Sequence, residues 1–121
     1  IGFSEKLWQD AGLSYDSSLG FTEIAGFRAG ICQEYTMFDL SSMRSTSLMQ
    51  RPLILMDHAI NTVHGVREKT FQDIQRVIKT CKFYSGDFTL LWHNSSFSYP
   101  QSRNLYLALI REAITRGSDA T

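Results

Sequence analysis

Two uninterrupted apolar runs, "PLILM" at 52–56 and "FTLLW" at 88–92, limit what this chain can fold into. A strand with one face in water alternates apolar and polar residues. A continuous run belongs to a strand covered on both faces, as in a parallel sheet. Pro52 opens the first run, a position at which a strand tolerates proline. Each run ends on polar chemistry: Asp57-His58 after the first, His93-Asn94 after the second. Between them, "REKTFQDIQRVIKTC" puts Phe71, Ile74, Ile78 and Cys81 on one helical face. Asp57 and His93 lie 36 positions apart with one helix between, the length of a βαβ crossover. Such a crossover sets two strand ends side by side on one rim.

The rest of the chain extends this alternation. Phe3, Leu7, Trp8 and Ala11 recur at helical spacing, and Gly12 is a C-terminal stop. "LSYDSSLGF" is short and β-like, and residues 20–50 read as a long irregular connection ending in the serine-rich "LSSMRSTS". "SRNLYLALIREAITRG" reads as a closing helix with Leu105, Ala108, Leu109 and Ile110 inward. Strands are expected near 14–18, 52–57 and 87–93, and helices near 3–11, 67–82 and 102–116. The expected class is α/β, with about three parallel strands and flanking helices. Three such strands leave apolar edges uncovered. Together with an opening already inside a helical pattern, this suggests part of a larger domain or a chain completed by a partner.

At 121 residues the chain is one small domain, residues 1–121. Twelve basic and twelve acidic residues balance, so no field steers it toward nucleic acid. No run has the length of a membrane span, and no signal peptide is visible. Cys32 and Cys81 stand apart without CxxC spacing and read as buried, reduced thiols, which suits a cytoplasmic protein and leaves export open. His58 and His64, six apart, lack ligand spacing and read as surface residues. No metal site is expected within the chain.

In α/β folds the chemistry sits at the carboxyl ends of parallel strands. Three ends can be named: Tyr15-Asp16, Asp57-His58 and His93-Asn94. A carboxylate at one end and an imidazole at its neighbour make an Asp–His pair, which fixes the tautomer and raises the imidazole pKa. Asp57 also fits a helix cap, and His93 also fits an ordinary strand-end residue. Arg28, held between glycines in "GFRAG", is either solvated or placed to meet an anionic or polyhydroxyl ligand.

The motifs resemble those of a known family. "AGLSYDSSLGF" resembles a stretch of the NodB-like polysaccharide deacetylases. "RPLILMD" looks like their strand ending on the fourth-motif aspartate, and "FTLLWHN" like the fifth motif, where a strand ends on the catalytic histidine. "GFRAGICQEYTMFDL" is similar to a loop in a subgroup tied to bacterial surface-polysaccharide biosynthesis. The match spans most of the chain but only the C-terminal half of such a domain. It implies part of a distorted (β/α) barrel that removes N- or O-acetyl groups from a polysaccharide. It also implies His93 as general acid and Asp57 as its orienting carboxylate. Leu91 and Trp92 would line the acetyl pocket, and Arg28 and Tyr15 are further candidates for substrate contact.

The intact enzyme would carry a divalent metal such as zinc, held in its N-terminal half. Two departures stand out: the aspartate pair and the His-x-x-x-His ligand motif are absent from this chain. His58-Ala59-Ile60 also replaces the usual tryptophan after the fourth-motif aspartate. The expected partners are a polysaccharide or sugar, and either the N-terminal half of the domain or a second copy of the chain. The competing expectations are a saccharide-binding or assembly domain without catalysis, and an unrelated α/β interaction domain.

Overall fold

The computed structural model describes residues 3–60 and 68–115. His64 and the expected helix end at position 116 lie outside them. Helix α1 (Phe3–Asp10) closes at Gly12, whose φ of +77° is left-handed. The Leu13 amide donates to the Trp8 carbonyl at 3.0 Å and the Gly12 amide to Gln9 at 2.9 Å. This pair of bonds is a Schellman closure, and glycine is the residue that adopts its left-handed position without steric cost.

Strand β1 (Tyr15–Asp16) pairs parallel with β3 (Arg44–Gln50), which pairs antiparallel with β2 (Tyr35–Asp39) on its other side. The β2–β3 hairpin occupies part of the segment that the sequence presents as an irregular connection. The expectation of parallel strands alone is therefore corrected: among the described residues one sheet is mixed. The reason is chemical. The first half of β3 is Arg44-Ser45-Thr46-Ser47, which makes a ladder through its backbone but shows no apolar run. The serine cluster supplies the turn. The Asp39 carboxylate accepts from the Ser41 amide at 2.9 Å and from the Ser41 and Ser42 hydroxyls at 2.6 Å. Side chains that bond local backbone in this way favour turns.

A second sheet holds β4 (Leu55–Met56) and β5 (Leu90–Leu91), paired parallel as Leu55↔Leu90 and Met56↔Leu91. Helix α2 (Glu68–Phe83) joins them, and α3 (Pro100–Ile114) follows with Pro100 in its first turn. These ladders are shorter than the apolar runs; ahead of β4, alternate backbone amides turn away from β5. The Arg51 and Leu53 amides donate to Asp16 and Leu19, while the Ile54 amide donates to Thr89. Residues 49–56 thus stitch the two sheets together. Among the described residues the sheets do not close into a barrel.

The core is the βαβ unit expected from the sequence. Leu55, Ile60, Ile74, Ile78 and Leu109 are buried together, with Phe71, Phe88, Leu90, Trp92 and Leu105 packed against them. Ala108, read as inward, is exposed. Cys32 and Cys81 are both buried, but they are not isolated: they share a second cluster with Ile54. Burial first, and the neighbouring Cys32 second, push the Cys81 thiol up to about 12, so it stays protonated and inert at neutral pH.

Candidate active site

Parallel pairing of β4 with β5 sets the ends of both strands on one rim. Asp57 follows Met56 directly and opens a 3₁₀ turn, Asp57–Ala59. His93 follows β5 by two residues and precedes a second such turn, Asn94–Ser98. The register Met56↔Leu91 sets the two strand ends level, so the polar residues just beyond them meet. His93 Nδ1 lies 2.7 Å from Asp57 Oδ1, and the His93 amide donates to Asp57 Oδ2 at 3.0 Å. The Ser96 hydroxyl, from the second turn, also donates to Oδ2.

Burial differs sharply across the pair. The Asp57 side chain is 1% exposed, whereas that of His93 is 41% exposed. Burial alone pushes the Asp57 carboxyl up, since it disfavours the charged form. The Ser96 hydroxyl, the His93 ring and the His93 amide outweigh it and hold Asp57 below its ordinary value. Asp57 is therefore an ionised acceptor, and Nδ1 carries the hydrogen between them. Nε2 is left for chemistry: an acceptor in the neutral ring, a donor in the protonated one.

Beside this pair stands a second imidazole. His58, exposed, stacks on His93 with ring centroids 4.7 Å apart and planes 20° from parallel. From Asp57, His58 and His93, one candidate ligand atom each falls within 4.8 Å of the others. Spacing against His64 does not find this arrangement. The available signal was adjacency, because His58 leaves the same strand end as Asp57. Ser96 was also missed; three residues beyond His93, it returns to the rim only through the 3₁₀ turn.

The other sequence candidates are placed apart. Leu90 and Trp92 pack toward the core while Leu91 between them is exposed, as strand alternation requires. Leu91 and Trp92 therefore do not share one wall. The Trp92 ring instead sits 5.5 Å from that of Tyr106 on α3. Arg28 donates to the Gly20 carbonyl at 3.0 Å and ties its own loop together. Tyr15 belongs to the other sheet, where the Arg51 guanidinium lies 3.8 Å over its ring and pairs with Glu34. A cavity of about 850 Å³ opens between α1 and the β2–β3 hairpin, lined by Lys6, Asp10, Phe38, Asp39 and Arg44 among others. It contains none of Asp57, His58 or His93.

No family model, curated protein or solved structure matches this chain. No helix among the described residues is long and apolar enough to cross a membrane.

Proposed function

We propose that the chain is the C-terminal part of a metal-dependent carbohydrate deacetylase, with His93 as its general acid. One observation supports this reading above the others: a buried, ionised Asp57 hydrogen-bonded at 2.7 Å to Nδ1 of a partly exposed His93. The motif resemblance supplies the substrate class, an acetylated bacterial polysaccharide or its precursor. The catalytic metal expected of such an enzyme polarises the attacking water. Its ligand set, an aspartate with a His-x-x-x-His pair, is not in this chain, and both Asp57 oxygens are already engaged. The chemistry assigned to these residues is therefore proton transfer alone.

In that step the protonated ring holds its Nε2–H toward the leaving group. As the acyl C–N or C–O bond of the tetrahedral intermediate breaks, the electron pair goes to the leaving nitrogen or oxygen. The Nε2 proton follows it. Asp57 stays ionised throughout and stabilises the imidazolium without taking its proton. Ser96 and the His93 amide keep the carboxylate from turning away.

The test is acetate release by the intact enzyme from N-acetylated and O-acetylated oligosaccharides. His93→Ala is expected to lower turnover about 10²–10⁴-fold, the usual worth of a general acid. Unchanged turnover would refute the role, and would leave saccharide binding without catalysis as the better reading.

A further inference from the structure

We infer that His58 and His93 together form a binding site for a borderline transition-metal ion of the zinc, cobalt or nickel type, with Asp57 as the carboxylate that orients His93. Three observations meet there. First, metal-bound histidines commonly give their other ring N–H to a carboxylate, which fixes the tautomer and raises ligand basicity. His93 already has that partner: Nδ1 is 2.7 Å from Asp57 Oδ1, so Nε2 is the nitrogen left to ligate. Second, the next strand end delivers a second imidazole onto the first, with centroids 4.7 Å apart. Third, His58 is exposed and the His93 side chain is 41% exposed, so water can complete the coordination shell.

Asp57 is not a direct ligand in this arrangement. Its Oδ1 serves the His93 ring, and its Oδ2 accepts from the His93 amide and the Ser96 hydroxyl. The donors are thus two imidazoles and water, a set that suits zinc, cobalt, nickel or copper and not calcium or magnesium. The rings lie 20° from parallel, so their lone pairs do not yet converge. Two nitrogens on a tetrahedral zinc sit about 3.4 Å apart, given bonds near 2.0–2.1 Å. The exposed His58 ring closes that difference by turning about its side-chain torsions, while Asp57 holds His93 still. This site differs from the catalytic metal of the proposed function, since it occupies the nitrogen that would carry the proton. Binding stands independently of that function. Only its consequence, competition between metal and proton at Nε2, rests on it.

The experiment is a titration of the whole metal-stripped 121-residue chain, with zinc by calorimetry and with cobalt by visible absorption. One equivalent at micromolar affinity is expected, with a cobalt spectrum carrying nitrogen-ligand bands. His58→Ala, an exposed change that should leave the circular dichroism unaltered, is expected to abolish the spectrum, as is His93→Gln. Ser96→Ala should keep the spectrum but weaken binding about 10–100-fold by loosening the orienting carboxylate. Equal binding by His58→Ala and the parent would overturn the site. So would equal binding by the urea-unfolded chain, loss of binding in His64→Ala alone, or no binding up to the order of millimolar zinc. None of these outcomes touches the turnover test of His93→Ala, so the two proposals fail separately.

Discussion

Asp57 is a carboxylate almost without water, and its charge survives because three hydrogen bonds replace the lost hydration. Removing one partner leaves an acceptor buried and undersatisfied. Ser96→Ala is therefore expected to cost about 1.5–3 kcal/mol, the range for a hydrogen bond to a charged group, read from urea denaturation at neutral pH. The same bonds set a pH dependence. Asp57 titrates lower in the folded chain than its ordinary value, and the unfolded value is about 3.9. Its stabilisation is thus fully present well above about pH 4 and is lost as the pH falls through the lower, folded value. The exposed Asp39, drawn down to about 2 first by the Ser41 hydroxyl and next by that of Ser42, titrates in the same acid window. Comparison with Ser96→Ala separates the two: urea midpoints between pH 5 and pH 3 should fall less steeply in the variant. Parallel curves would show that Ser96 does not hold the carboxylate.

Among the described elements, the α2–β5 connection is a closely packed joint. The Gly86 amide donates to the Cys81 carbonyl at 2.8 Å, and the next amide, Asp87, donates to Cys32 at 2.9 Å. A Cβ at Gly86 would overlap Cys32 Sγ, which is itself packed against buried Ile54 and Cys81. Gly86→Ala is expected to destabilise by about 1–3 kcal/mol, as overpacking a close-fitted core does. A control is available in Gly30, where a Cβ would meet nothing within 4 Å, although its φ of +76° still carries a backbone cost. If Gly86→Ala and Gly30→Ala unfold at the same denaturant concentration, the joint is looser than described. The joint also aims the site, because it sets where β5 begins and hence how far His93 reaches past β4.

For the whole molecule, the sheets are small and much apolar surface stays outside. Leu40 and Phe83 are about four-fifths exposed, and Ile24, Met43 and Ile114 also stand clear of the core. Such side chains are candidates for contact with a partner where they fall next to one another. Burying one large side chain yields about 1.5–3 kcal/mol, so a partner that covered several would gain substantially. The isolated chain is expected to self-associate, with sedimentation coefficients rising with concentration. A well-folded monomer at every concentration would count against this.

The sequence by itself determined the elements that have strong local signals. Two continuous apolar runs marked strands; the expected cover on both faces holds for Leu53, Ile54 and Leu55 but is corrected at Leu91, which is 40% exposed because only one face of β5 meets the core. The Phe71/Ile74/Ile78/Cys81 spacing required a helix between them, and 36 residues of separation brought Asp57 and His93 to one rim. Those features are local or follow from chain connectivity, so they could be read from the residues alone. The β2–β3 hairpin could not be, because the first half of β3 carries no apolar alternation: its polar residues are held by backbone pairing with β2, and only the end of β3 meets the sequence-distant β1. Only the tertiary structure decided that Ser96 completes the Asp57 shell, that His58 lies on His93, and that Cys32 meets Cys81. Each of these contacts depends on where a turn or loop returns. Turn direction is set by packing and hydrogen bonding across the whole fold, which no short window of sequence contains.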